Sequence, residues 1–288
     1  MFEIYNLAQR SNINVYTLPD IRMEEGGQHI VLYEDHRTMI DVLYYASQEG
    51  AFGGEIPTVI SFDHHDDAVV LRDEQKDKIR SLKESLANER YDGLLWQFVE
   101  FELSSLDDDW VRAGMELGLI KNYVGFGHDS IDARNIENGY ENYISSDQLN
   151  HHIYSNGHLK WVLGNRGVLG DHFYADQQKQ QDIMNDLQFH NGRFDNAPVS
   201  PFILDIDLDC FSCELEDHTM AWPEDIFVER YINDPHTLFF IKHLISRASF
   251  ITICRETGCC GGIGEANRIL ELLDCYWFDG ALRTKRIM

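Results

Sequence analysis

Four apolar, β-branched runs in this chain each break off into ionisable side chains, and longer helical stretches separate them. They are HIVLYEDH at 29–36, TVISFDHHDD at 58–67, SPFILDIDLDCF at 200–211 and SFITICRET at 249–257. NYVGFGHDSID at 122–132 is a fifth of the same kind, ending in glycine and charge, and HLKWVLGN at 158–165 is a weaker sixth. Short apolar runs that alternate with helices predict an α/β fold, a central mostly parallel sheet with helices on both faces. In such a sheet the carboxyl ends of the strands share one edge, and that edge is where ligands bind. The ionisable ends are therefore expected to converge.

The stretches between the runs have helical spacing. In RTMIDVLYYASQ, residues 37–48, one face carries Met39, Val42, Leu43 and Ala46. EQKDKIRSLKESLANER, residues 74–90, reads as an exposed helix whose apolar seam is Ile79, Leu82 and Leu86. GCCGGIG at 258–264 lacks the spacing and the Lys-Ser/Thr of a phosphate loop, so it reads as a turn feeding the helix after it. With no internal repeat, low-complexity tract or proline-rich linker, residues 1–288 are expected to form a single domain.

Lys and Arg number 24 against 49 Asp and Glu, a formal charge of −25. A field of that sign repels nucleic acid and acidic membranes and attracts metal ions, basic peptides and guanidinium groups. No run approaches the roughly 20 apolar residues of a membrane span, and the start lacks a secretory signal, so a cytoplasmic protein is expected. All six cysteines lie in the last third. Cys210 and Cys213 form a C-x-x-C with no second pair to complete a zinc site, so buried thiols without disulfides are expected. The run from Asp107 to Asp109 reads as a solvated turn or helix start, and His151-His152 as surface residues.

The chemistry-bearing segments are Glu34-Asp35-His36, the stretch from Asp63 to Asp67, and the stretch from Asp205 to Asp209. Alternate residues of an extended segment share a face, which groups Asp63, His65 and Asp67, and likewise Asp205, Asp207 and Asp209. Carboxylates gathered without Lys or Arg repel one another in a desolvated cleft unless cations neutralise them. Oxygen-rich sets with one or two imidazoles suit manganese or magnesium, whereas zinc brings more His or Cys. Two ions about 3.5 to 4 Å apart lower the pKa of water enough to provide a nucleophile without Ser or Cys.

These residues resemble the arginase, agmatinase and histone-deacetylase superfamily. LYEDHRTMI is similar to that family's G-G-D-H-S segment, with Asp35 and His36 matching and Tyr33 and Glu34 in place of its glycines. FDHHDD is similar to its D-A-H-x-D segment. PFILDIDLDCF resembles its S-x-D-x-D-x-x-D-P strand, with Asp205 on the serine and Ser212 and Cys213 in place of the closing D-P; a register using Asp205 and Asp207 as ligands stays open. The resemblance implies an arginase-like three-layer sandwich holding two Mn2+, one on His36, Asp63, Asp67 and Asp207, the other on His65, Asp63, Asp207 and Asp209. ITICRET resembles the strand whose terminal glutamate accepts the substrate guanidinium, which nominates Glu256. YVGFGHDSID resembles the strand after which the amino-acid end of the substrate is held, which nominates His128 and Asp129. The proton donor to the departing amine could be His64, His128 or His172.

The details of these motifs look like the divergent branch that includes peptide arginases of ribosomal peptide maturation. That likeness implies conversion of arginine side chains to ornithine, with release of urea, in an arginine-containing precursor peptide. Three other readings share some of the same residues. Asp63-His64-His65 is also the namesake motif of the DHH phosphoesterases, although the three motifs offer only Arg37 to an anionic substrate. Deacetylase chemistry with a single zinc is possible on the same scaffold, and so is a non-catalytic peptide-binding module with structural metals.

Overall fold

Parallel strand pairing organises the chain. The computed structural model describes residues 21–25, 28–86, 92–104, 108–127, 136, 139–156, 185, 189–190, 193–194, 200–215, 218–280 and 282. Its main sheet is built from β1 (Ile21–Glu25), β2 (Gln28–Tyr33), β3 (Thr58–Phe62), β4 (Tyr123–Phe126), β5 (Tyr140–Ile144), β6 (Asn150–Asn156), β9 (Phe202–Asp207) and β12 (Phe250–Cys254). The short pairs β7 (Phe189–His190) with β8 (Arg193–Phe194), and β10 (Ser212–Leu215) with β11 (His218–Ala221), form separate two-stranded ribbons. The eight strands lie in the order β1-β2-β12-β9-β3-β4-β6-β5. The six from β2 to β6 pair in parallel, and the edge strands β1 and β5 pair antiparallel to their neighbours.

Side-chain alternation along each strand sorts the core into two layers. Ile60 and Phe62 of β3 and Phe202, Leu204 and Ile206 of β9 face α5 (Glu224–Phe227), α6 (Pro235–Arg247) and α7 (Ile263–Tyr276), where Phe227, Phe240, Ile241, Ile269 and Leu273 are buried. Val59, Ile203 and Phe250 face the other way, toward α1 (Met39–Gln48), α2 (Asp73–Leu86), α3 (Asp92–Glu102) and α4 (Trp110–Leu117). Each fully buried large apolar side chain contributes roughly 1.5 to 3 kcal/mol, so both layers hold the sheet. The outcome is the three-layer α/β arrangement that the alternating texture predicts. Met39, Val42, Leu43 and Ala46 are all buried on α1, and Ile79 and Leu82 on α2.

Several readings change. His151 is buried on β6, its Nδ1 2.8 Å from the Lys121 carbonyl, and is not a surface residue. Asp109 does precede a helix, α4, but it is buried rather than solvated and accepts hydrogen bonds from Gln75 Nε2 (2.7 Å) and Ser104 N (3.0 Å). The edge strands β1 and β5, and β6 itself, did not stand out because none is a continuous apolar run. The candidate strand at 158–165 and the candidates His128, Asp129 and His172 lie outside the described residues. Among the described residues, no helix is long and apolar enough to cross a membrane.

The order of strands places the site. From β3 the chain moves outward to β4 on one side, and from β9 it moves outward to β12 on the other, so direction reverses between the adjacent strands β3 and β9. Such a switch point opens a crevice at the carboxyl edge. Asp63 follows the last residue of β3, and Asp207 ends β9.

Candidate metal centre

Each acidic strand end reaches the same carboxyl edge. The segment after β2 turns through a 3-10 helix, His36–Thr38, that buries the His36 imidazole completely. His36 Nδ1 lies 2.9 Å from Asp67 Oδ2, 3.0 Å from Asp207 Oδ2, 3.5 Å from Asp63 Oδ2 and 4.0 Å from Glu256 Oε1. Beside it, His65 Nδ1 lies 3.2 Å from Asp209 Oδ2. Donor atoms of His36, Asp63 and Asp67 lie within 4.8 Å of one another, as do those of Asp63, His65 and Asp209. Asp63 belongs to both sets. The His65 side chain is 45% exposed, which marks the side on which the cluster opens to solvent.

Asp205 occupies a different place. Strand register sets Ser61 of β3 and Thr252 of β12 directly opposite it, and all three share the face toward α1 to α4. Its Oδ1 accepts from Thr252 Oγ1 (2.6 Å) and Tyr33 OH (3.1 Å), and its Oδ2 from Ser61 Oγ (2.7 Å) and His36 Nε2 (2.8 Å). The carboxylate is thus saturated on the far side of the imidazole, while Asp207 and Asp209 stand with the donor clusters. Of the two registers open in the sequence, the geometry groups Asp207 and Asp209. With Asp205 on Nε2, Nδ1 is the nitrogen left facing Asp63, Asp67 and Asp207, and it would serve a cation there, the usual arrangement behind a metal-binding histidine.

The neighbouring backbone is held in costly conformations. Asp67 and Glu256 have φ of 45° and 31°, the left-handed region that non-glycine residues rarely adopt. Trp110, the first residue of α4, holds Asp67 in place: its Nε1 donates to Asp67 Oδ2 at 2.6 Å, and its ring lies 4.7 Å from that of His36. Glu256 is pinned by donation of its N–H to the Glu34 carbonyl (3.1 Å) and by the N–H groups of Cys259 and Cys260, which donate to its carbonyl. The Glu34 carboxylate accepts from Thr257 N at 3.0 Å and closes the turn. This is the turn that GCCGGIG predicts, and it does lie against the cluster. Gly127, at φ 120°, lets the end of β4 approach closely: a Cβ there would lie 2.6 Å from the Asp63 carbonyl oxygen and 2.4 Å from Cys210 Sγ.

On the protein's own groups alone, the acids crowd one another. Burial, then the field of Asp67, raises Asp63 well above the usual carboxylate range. Burial and Asp209 push Asp207 up to about 7, and burial and Asp207 push Glu256 up to about 11. Burial would raise Asp209 too, but the hydrogen bond and charge of His65 hold it below the ordinary value. The Asp209 hydrogen bond lifts His65 to about 9.

The donors fit divalent cations. Asp63 Oδ2 is buried with no hydrogen-bond partner. Among the described residues, no Lys or Arg is ion-paired with Asp63, Asp67, Asp207 or Asp209. An orphaned carboxylate oxygen 3.5 Å from His36 Nδ1, amid acids with no Lys or Arg beside them, is what a bound cation would resolve. Sequence reasoning passed over Trp110 and Cys254. The Cys254 sulfur lies within 4.8 Å of donor atoms of His36, Asp207 and Glu256, yet a cysteine inside an apolar run reads as core.

No protein-family model matches this chain, and no curated protein matches it. Among solved structures it is similar to a crystal structure of a hypothetical agmatinase from Burkholderia thailandensis, at a TM-score of 0.38 and 15% identity. The match covers 87% of this chain and 59% of that one, so the chain spans about three-fifths of the length of that structure.

Proposed function

We propose that the chain is a two-cation hydrolase that converts the guanidinium of arginine side chains within a peptide to the amine of ornithine, releasing urea. One observation carries the proposal: two donor sets from different parts of the chain, His36-Asp63-Asp67 and Asp63-His65-Asp209, share Asp63. A carboxylate common to both sets would serve two cations, and a single-zinc deacetylase has no use for the second set. His36, Asp63, Asp67 and Asp207 would hold one cation and His65, Asp63, Asp207 and Asp209 the other, with manganese named by the motif resemblance.

Two divalent cations, when bound, supply water activation near neutral pH and polarise the reacting carbon's substituents. The chain's own residues do the rest. The Glu256 carboxylate, strapped by its turn to Glu34, faces the cluster and would accept the guanidinium N–H groups, orienting the carbon toward the donor sets. Water adds at that carbon, the bond to the side-chain nitrogen breaks, and the amine leaves with a proton while urea departs. His64, half-buried with its ring 4.9 Å from that of His65, is the described candidate for the proton donor.

A charge of −25 favours a basic peptide over the anionic substrates of phosphoesterases, and Arg37 lies beside Asp35 and Glu100 (3.9 and 3.7 Å) rather than among the donor sets. Incubation of the Mn2+-loaded protein with arginine-containing peptides should yield urea and the mass decrease of guanidine-to-amine conversion. Glu256→Gln should abolish both while two cations still bind. Phosphate release from a phosphodiester, or peptide binding that Glu256→Gln leaves intact without any turnover, would overturn the assignment.

A further inference from the structure

We propose that Cys254 gives a sulfur donor to the cation held by His36 and Asp207, which makes that half of the centre a borderline-soft site preferring Zn2+, Co2+ or Fe2+ over Mn2+. The inference rests on the two-cation reading above and sharpens it, because the two halves would then take different metals.

Strand register delivers the sulfur. Cys254 ends β12, where it is paired with Tyr33 on one side and with Asp207 on the other. Its side chain shares the face of the Asp205 polar group and is fully buried. Sγ, a ring nitrogen of His36 and carboxylate oxygens of Asp207 and Glu256 all lie within 4.8 Å of one another, and Nδ1 is the nitrogen 3.0 Å from Asp207 and 4.0 Å from Glu256. The buried oxygen Asp63 Oδ2, which has no hydrogen-bond partner, points at the same imidazole nitrogen from 3.5 Å. A nitrogen, a sulfur and the Asp207 carboxylate therefore surround one space, and the Glu256 oxygen, 4.0 Å from the imidazole nitrogen, faces it as the guanidinium acceptor. The set of Asp63, His65 and Asp209 contains no sulfur.

The thiol also has somewhere to leave from. Sγ lies 3.3 Å from the Glu34 carbonyl oxygen, the contact of a protonated thiol. When a cation takes the sulfur, the thiol proton passes to solvent, and the Glu34 carbonyl keeps its bond from the Glu256 N–H at 3.1 Å. Rearrangement orphans no backbone group. Thiolate selects zinc and its softer neighbours, whereas an oxygen-rich set suits manganese.

The test uses the full chain loaded with Co2+. A sulfur-to-cobalt charge-transfer band in the near ultraviolet is expected in the parent protein and in Cys259→Ser, and is expected to vanish in Cys254→Val. X-ray absorption on the Zn2+-loaded parent, which needs no variant, should show a sulfur neighbour at about 2.3 Å. Outer-sphere partners alone change affinity by about 10- to 100-fold, so Cys254→Val should weaken Zn2+ binding by about 100-fold and leave the weaker Mn2+ binding within about threefold. A shell of oxygen and nitrogen only, or unchanged Zn2+ affinity in Cys254→Val, overturns the proposal. Two cations bound without sulfur overturn it alone, and failure to bind any cation takes the hydrolase reading with it.

Discussion

Asp205 Oδ2 sits 2.8 Å from His36 Nε2, and this pair decides which nitrogen of the imidazole faces the acids. Burial alone would raise Asp205, but the His36 charge and the hydrogen bonds from His36, Thr252 and Ser61 override it and hold the carboxyl below its usual range. The ring is therefore gripped from behind by a charged acceptor. Four donors surround that one buried carboxylate.

Asp205→Asn is expected to weaken cation binding more than it weakens the fold. An amide that keeps its oxygen toward Tyr33 and Thr252 turns its nitrogen toward Ser61 and His36. Nε2 then becomes the acceptor, and the ring proton moves to Nδ1, where it blocks the donor pair. Affinity should fall about 10- to 100-fold, read by competition with a chelating dye. Asp205→Ala should lower the melting temperature further than Asn does, because it leaves buried donors with no acceptor. Equal cation affinity in Asp205→Asn and the parent would contradict this role.

Stability of the cation-free protein should fall as pH rises, and the gain on cation loading should grow over the same range. Asp63 is raised well above its ordinary value, Asp207 stands at about 7 and Glu256 at about 11, so the chelator-treated fold holds protons that the unfolded chain has released above about pH 4. His65, lifted to about 9, acts the same way above about pH 6.5. A native state richer in protons loses stability as pH rises. From pH 5.5 to 8 the melting temperature of chelator-treated protein should therefore fall. Cations replace those protons, so the gap between loaded and chelator-treated protein should widen over the same range in calorimetry. A gap independent of pH would show that the acids are not the cation donors.

How much of this was legible follows from sequence distance. The acids after β3 and at the end of β9 stand out because apolar runs give way to charge there, and parallel pairing does the rest. Asp205 could not be separated from Asp207 and Asp209 in the sequence, since alternate residues share a face. The distinction comes from register, which sets Ser61 and Thr252 beside Asp205 across three strands. Trp110 lies 43 residues from the Asp67 it orients, and nothing local marks it. His151 was misjudged because residue type suggests a surface site, whereas pairing within the sheet buries it on β6.

Gly127→Ala should damage the Asp63 loop. The glycine stands at φ 120°, and an added Cβ would meet the Asp63 carbonyl oxygen at 2.6 Å and Cys210 Sγ at 2.4 Å. The Asp63 N–H also donates to the Phe126 carbonyl at 2.8 Å, so the loop cannot retreat without losing that bond. Strain of this kind costs about 1 to 3 kcal/mol. Denaturant unfolding should show a loss of that order together with weaker cation binding. Gly118→Ala, where the left-handed φ is 74° but no atom lies within 4 Å of the new Cβ, should cost stability and leave cation affinity unchanged.

Trp110→Phe should separate the two donor sets. The indole N–H holds Asp67 Oδ2 at 2.6 Å, and the same ring packs 4.7 Å from His36, so one side chain fixes two members of the His36 set. Phenylalanine retains much of the ring contact but donates nothing, which releases a carboxylate already held at φ 45°. A hydrogen bond to a charged group is worth about 1.5 to 3 kcal/mol, and part of that should appear as lost stability. The larger effect should be on cation binding. Affinity at the set containing Asp67 is expected to drop about 10- to 100-fold. Among the described residues no hydrogen bond or ring contact joins the indole to Asp63, His65 or Asp209, so titration should resolve one weakened site and one nearly unchanged site. If both affinities fall together, Asp67 and Trp110 brace the whole centre rather than one half, and the division of ligands between the two sets is wrong.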